Sequence, residues 1–388
     1  LVAAVERVGQ EQGQVAEMVF DLCCRSAAGH VGEGVPAEKR VSDQSMGEHE
    51  GLAPQLGHVV AQHHQRGSHG RIVGRGPSPT VPVVRDGAGV VVDIGDVPVQ
   101  LRASDEGRAD VLRRHLGAAP AHPGPPRATL RFDARGPSVP SGPPRLTIED
   151  IRVWEEEACV RLAHASGATA VVTADEAWVG GGDADAPAAF HRMLLMVVAH
   201  LLAHHDRYVL HAAAIVPASG AVVVLGDTGQ GKSTAAAAGL DAGWPVLGDD
   251  MVILRTAAGQ PEVAGIARPG ALPADVGAEL GGPVLAGDPR GRRELAPSAF
   301  TPGWHPVGAV VRIAHGTNPD GSLRSLEARA ALYALMSGFA GALAPRLLRG
   351  FLPVAAALSR GPTFELDLGA DPARRLAGTA RLLASAGA

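Results

Sequence analysis

The chain has 388 residues, of which 46% are hydrophobic and only 3% aromatic, and a formal net charge of −5. That length allows two domains, with a core filled by Val, Leu and Ala rather than by rings. The mild acidity gives no reason to expect a nucleic-acid partner, and three cysteines (Cys23, Cys24 and Cys159) make no metal spacing and point to a reducing, cytoplasmic compartment.

Residues 1–78 read as a low-order N-terminal segment, or as upstream sequence translated from a mis-called start, since the first residue is Leu rather than Met. Val5 to Leu22 allows one helix, and nothing at this end has the basic start and apolar block of a signal peptide. His58, His63, His64 and His69 match no closed metal site and read as a solvated tail. Residues 79–187 carry the pattern of a smaller β-rich N-terminal lobe. Strands are expected at Val90–Ile94, Val97–Leu101, Ala128–Phe132, Ile151–Trp154, Cys159–Ala163 and Ala168–Thr173. Glu106 to Leu116 reads as a helix with Ala109, Leu112 and Leu116 on one face. Pro-rich pieces at 119–127 and 137–144 read as connectors. Acceptor recognition and packing support are both open roles for this lobe.

Residues 188–388 read as the catalytic domain. Its first helix, 188–205, contains His191, Arg192 and His200 and is shorter than the ~20 apolar residues a membrane span needs, so no membrane association is expected. His200 and His204 are spaced i,i+4, but no carboxylate completes a metal motif. Two apolar strands, 208–216 and 221–226, flank the turn Pro217-Ala218-Ser219-Gly220. A hairpin with Val216 opposite Ala221 puts His211 opposite Gly226; the alternative is an ordinary half-buried histidine.

The segment after this hairpin carries the chemistry. Gly226-Asp227-Thr228-Gly229-Gln230-Gly231-Lys232-Ser233 fits the phosphate-binding loop G-x-x-x-x-G-K-S/T without a mismatch, after a β-branched run and before the Ala-rich helix Ser233–Leu240 that Thr234 helps to open. The glycines let backbone N–H groups converge on phosphate oxygens, and the helix N-terminus adds partial positive charge. Lys232 would reach the β- and γ-phosphates of ATP, and the Ser233 hydroxyl would ligate Mg²⁺. The chain has only two lysines, Lys39 and Lys232, so a lysine here stands out against an arginine-rich background. Asp249 and Asp250 come next between apolar runs, where two adjacent carboxylates are costly to bury without a cation. A solvated turn is the plainer reading of that pair. Residues 255–289 are dense in Pro and Gly; Arg290, Arg292 and Arg293 then offer either a grip on phosphate or a solvated basic loop. Val307–Ile313 and Phe364–Leu368 read as strands, Leu326–Gly338 and Pro372–Ala384 as helices, and Ala344–Leu358 as a helix interrupted at Gly350 and Pro353.

The run from Leu210 through the phosphate loop to Leu254 resembles the catalytic core of the HPr serine kinase/phosphorylase superfamily, a fold similar to that of the ATP-dependent phosphoenolpyruvate carboxykinases. The resemblance is clear over about residues 205–256. It implies an α/β fold with a P-loop kinase core, ATP and Mg²⁺ as the groups bound, and transfer of the γ-phosphoryl group to a serine hydroxyl. It implies that His211 lies near the site, that Gly226–Ser233 hold the phosphates, that Asp249 takes the acceptor proton, and that Asp250 helps to hold the metal and the histidine. It also implies a homo-oligomer. The chain departs from the family at Thr228 and Thr234, and the glycine-rich signature that the HPr-acting enzymes use for phosphorolysis is not recognisable downstream, where Val263–Ala267 is at best a remnant of it. It therefore looks more like divergent relatives that tailor ribosomally made peptides, lasso peptides among them, with a peptide or small protein as acceptor. An HPr kinase/phosphorylase and a non-catalytic ATP-binding regulator are the alternatives.

Overall fold

The computed structural model describes residues 89–386, apart from 117–118, 149, 182–186, 267, 269, 273–275, 277–279, 281–283, 286–292, 315–317, 319, 341–344 and 370–371. The expectations for residues 1–78 and for Arg290 and Arg292 fall outside the described residues. The architecture is mixed α/β, with two large mixed sheets and a few helices.

Eight strands form the first sheet: β1 (Val90–Ile94), β2 (Val97–Ala103), β3 (Ala128–Asp133), β4 (Leu146–Ile148), β5 (Ile151–Glu155), β6 (Val160–His164), β7 (Ala168–Val172) and β8 (Glu176–Gly181). Their order is β1-β2-β3-β8-β7-β6-β5-β4, with β2, β3 and β8 parallel and the other neighbours antiparallel. The β1–β2 hairpin closes on Gly95 and Asp96, both at positive φ (61° and 58°), a pair that matches the twist of the flanking strands. Helix α1 (Glu106–Leu116) makes the crossover from β2 to β3. The Asp105 carboxylate accepts the Arg108 N–H at 3.0 Å and caps its first turn, and Ala109, Leu112 and Leu116 are the buried face. The connector from β3 to β4 is tied onto the outer side of the sheet. Thr169 Oγ1, Arg161 Nη1 and Trp154 Nε1 donate to the carbonyls of Pro137, Ser138 and Gly142 at 2.8, 3.1 and 3.0 Å.

Helix α2 (Pro187–Ala203) packs on β6, β7 and β8 and also on β9 (Tyr208–Leu210), the first strand of the second sheet, so one apolar core runs through both. Its His200 is fully buried with Nδ1 2.7 Å from the Met196 carbonyl. Among the described residues no group of three or more His, Cys, Asp or Glu gathers as a metal cluster, and no helix is long and apolar enough to cross a membrane.

The second sheet continues with β10 (Ala212–Ile215), β11 (Ala221–Leu225), β12 (Val246–Gly248), β13 (Val252–Ala257) and β14 (Gln260–Gly265). A separate three-stranded sheet, β15 (Gly270–Leu272), β16 (Val284–Leu285) and β17 (Arg293–Leu295), intervenes before β18 (His305–Ala314), β19 (Ser322–Ser325) and β20 (Thr363–Asp367). The order is β12-β10-β11-β18-β14-β13-β9, with β20 on β18 and β19 on β20; β11, β18 and β20 are parallel. Side chains alternate between faces: Ala213, Ile215, Val222 and Val224 on one, Ala212, Ala214, Ala221, Val223 and Leu225 on the other. Both faces are covered, which is why these strands read as unbroken apolar runs. Helices α3 (Lys232–Asp241), α4 (Ala328–Gly338), α5 (Pro345–Ser359) and α6 (Pro372–Ala386) divide between them, α3 and α6 on the first face and α4 and α5 with α2 on the second.

Two expectations are corrected. The run 208–216 is not one strand: its apolar sequence gives no sign of a break, yet the His211 N–H leaves the ladder and donates to the Gly338 carbonyl at 2.8 Å, at the C-terminal end of α4. Helix α5 is not interrupted at Gly350 or Pro353. Pro353 is exposed, so the carbonyl that loses its partner faces water and the helix continues.

The two sheets are joined at the β1–β2 turn. Asp96 accepts from Arg207 at 2.6 and 2.9 Å and from Arg255, and Arg255 in turn reaches Glu262 at 2.8 Å. Both guanidinium groups lie over the Trp304 ring, at 5.6 and 4.1 Å from its centroid.

Candidate functional site

The β10–β11 hairpin pairs Ala212 with Leu225 and Ile215 with Val222, which is the register that carries His211 to the level of Gly226. The turn at Gly226–Gly231 therefore begins beside the histidine. Asp227, Thr228 and Gly229 are exposed at the tip, while Gly226, Gln230, Gly231 and Ser233 are half-buried. Gln230 braces the loop from within: its Oε1 accepts the Asp227 N–H at 2.7 Å and its Nε2 donates to the Asp227 carboxylate at 3.1 Å. Gly229 and Gly231 sit at φ 84° and 113°. At Gly231 a Cβ would fall 2.1 Å from Leu368 Cδ1, the movable end of a side chain, so it is the backbone conformation that demands glycine there.

Helix α3 starts at Lys232, with no side chain capping its N-terminus, and so presents uncapped N–H groups at the end of the loop. Ala235–Ala238 are fully buried, and a Cβ on Gly239 would meet Ile215 Cγ2 at 2.5 Å. Small residues thus let the helix lie close on the sheet. Lys232 and Thr234 are buried. The Lys232 ammonium donates to the carbonyls of Gly226 and Asp227 at 2.7 and 3.0 Å. Burial lowers its pKa from the usual lysine range, while Asp250, Asp249 and Asp227 act to restore it.

The acidic pair comes directly after β12. Asp249 is 1% exposed, and neither of its carboxylate oxygens has a hydrogen-bond partner. Burial, with the charge of Asp250 beside it, pushes this carboxyl up to about 7; the Ser233 hydroxyl, Lys232 and Arg268 oppose that rise without forming a geometric hydrogen bond to it. Asp250 is different. Its backbone is at φ 92°, a region a non-glycine residue occupies only when its surroundings hold it there. Its N–H donates to the Ala212 carbonyl at 3.1 Å. One carboxylate oxygen lies 2.6 Å from His211 Nε2, and the other is paired with the Arg268 guanidinium.

The structure thus gathers Lys232, Ser233, Asp249, Asp250 and His211 at the C-terminal ends of β11 and β12. Thr228 lies at the exposed tip of the loop. Arg293 belongs to β17 of the small sheet, and its side chain lies outside the described residues. Sequence reasoning does not single out Arg268. It is buried, and also donates to Met251 Sδ at 3.3 Å. The signal that could have found it is the return strand β14, which pairs Val252 with Gly265 and brings the residues after it back to the acidic pair.

No protein-family model matches the chain, and no curated protein matches it. Among solved structures, the HPr(Ser) kinase/phosphatase from Coxiella burnetii aligns with 17% identity over 30% of this chain and 72% of its own, with a TM-score of 0.20. A score that low adds nothing to the geometry of the site.

Proposed function

We propose that the chain is a P-loop phosphotransferase, related to the HPr kinase group, that moves the γ-phosphoryl group of ATP to a serine hydroxyl of a peptide or small protein. The observation that carries this reading is a buried, unpartnered carboxylate, Asp249, placed beside Ser233 and Lys232 at the opening of α3. Orphaned anionic oxygens next to a loop hydroxyl fit a divalent cation, which would supply charge neutralisation at the phosphates. The protein's own part is alignment and electrostatics. Loop N–H groups from Gly226 to Ser233 cradle the phosphates, and Lys232 exchanges its two carbonyl partners for phosphate oxygens. As the acceptor oxygen forms its bond to phosphorus and the bond to ADP breaks, the hydroxyl proton passes to the acidic pair.

Intact-mass spectrometry tests this directly. The full chain with Mg²⁺ and ATP is mixed with HPr and, separately, with any small precursor peptide encoded beside it. A phosphoryl-sized gain on the peptide, lost with Lys232→Ala, is the expected result. A gain on HPr alone would make HPr the acceptor. ATP turnover that survives Lys232→Ala unchanged would remove the site from consideration, and ATP binding without any transfer would favour a nucleotide-binding regulator.

A further inference from the structure

We infer that the two aspartates divide their work in the order opposite to that implied by the family resemblance: Asp249 with Ser233 holds the divalent cation, and Asp250 with His211 faces the acceptor, kept there by Arg268 as a positioning residue. This rests on the phosphotransferase reading and assigns roles within the same site.

Access separates the two carboxylates. An acceptor hydroxyl has to touch the group that takes its proton, but Asp249 is 1% exposed. The side chains of His211 and Asp250 are 32% and 29% exposed. Asp249 lies beside the Ser233 hydroxyl at the opening of α3, whereas the part-exposed pair of Asp250 and His211 is open to an acceptor side chain. Ligand vacancy separates them too. Both oxygens of Asp250 already face cationic or donor groups, His211 Nε2 on one and the Arg268 guanidinium on the other. Turning Asp250 toward a cation at Ser233 would break one of these contacts and leave a buried guanidinium short of its carboxylate, a costly state. Asp249 loses nothing by coordinating, because its oxygens have no partner to give up. Backbone geometry agrees. Asp250 is fixed at φ 92° and by the N–H bond to Ala212, so its side-chain direction is set by the turn as well as by Arg268.

Binding of Mn²⁺ to the full chain in the presence of a non-hydrolysable ATP analogue, read by electron paramagnetic resonance, decides the assignment. Asp249→Asn is expected to weaken the ion on the order of tenfold or more, and Asp250→Asn by less than about threefold. Arg268→Ala should leave Mn²⁺ affinity and the KM for ATP near the starting values while lowering kcat on the order of tenfold, with Arg268→Lys recovering part of it. Metal loss in Asp250→Asn, or equal loss in both aspartate variants, overturns the assignment. So does a kcat for Arg268→Ala within about twofold of the parent, the size expected of a group with no part in positioning. A parent chain that binds no Mn²⁺ with the nucleotide would instead overturn the phosphotransferase reading itself. Thermal melts of each variant separate these results from misfolding.

Discussion

Among the described residues, two regions hold a histidine 2.6 Å from an aspartate. In the first sheet, His164 Nε2 meets Asp150; in the second, His211 Nε2 meets Asp250. Around His164 the contacts close locally. Its Nδ1 lies 2.8 Å from Ser166 Oγ and accepts the Ser166 N–H at 3.0 Å, so the ring staples the turn after β6. No polar side-chain atom of Asp150, His164 or Ser166 is buried without a partner. Around His211 the contacts do not close. Next to its aspartate stands a second, buried carboxylate with two unpartnered oxygens, a buried lysine that has only loop carbonyls to hold, and an uncapped helix N-terminus. The same pair of side chains is thus a structural fastener in one place and part of a candidate site in the other. What separates them is the unmet demand of the neighbours.

That contrast can be broken by experiment. The largest effect is expected from Lys232→Ala, which should lower ATP turnover by roughly 10²–10³-fold while the melting temperature changes little. A turnover assay on the folded variant checks it. Next come the two histidines. His211→Ala should reduce turnover about tenfold or more, whereas His164→Ala should leave turnover unchanged and cost about 1 kcal/mol of stability through its lost turn contacts. Equal effects on turnover would erase the distinction between fastener and site.

Asp249 gives a test by pH. Its carboxyl stands at about 7 in the folded chain against 3.8 for the ordinary group. The folded state therefore holds this proton more tightly than the unfolded state does. Its contribution to stability is best below the ordinary value and declines as pH rises through about 7. With chelator present and no nucleotide, Asp249→Asn should raise the melting temperature at pH 8 and hardly change it at pH 4. A fall at pH 8 would mean that the carboxylate has a partner in the folded chain after all. The smallest effect is expected at the junction of the sheets. Asp96 is partly exposed, so Asp96→Ala should cost only about 1 kcal/mol, read as a modest drop in the melting temperature, with nucleotide affinity unchanged.

The loop Gly226–Ser233 and the hairpin before it are legible in the sequence because their determinants are contiguous: eight residues of motif, and a four-residue turn that fixes the register. The acidic pair is legible as a pair, from two charges set among apolar neighbours. The separate situations of Asp249 and Asp250 are not, because they depend on Arg268, which a hairpin brings back from 18 positions away. Strand β14 is hidden since Pro261 and Gly265 mask its pattern, yet Gly265 is there because a Cβ would fall 1.6 Å from the Leu247 carbonyl. Strands β4 and β8 are hidden for a related reason. The first has three residues, and the second ends in two glycines that the connector presses against. The break at His211 is invisible locally, because its cause lies in α4, more than a hundred residues downstream.

The four alanines behind the loop carry one more consequence. A helix whose buried surface is mostly alanine methyls, packed between the sheet and α6, has few rotamers with which to absorb a change, so its position is set largely by the backbone. A larger residue at any of Ala235–Ala238, all fully buried, would push the helix away from the sheet or from α6 and shift the N–H groups at its start. Ligand affinity would then register the insult sooner than folding does, and the quietest stretch of the sequence would be the part least free to drift.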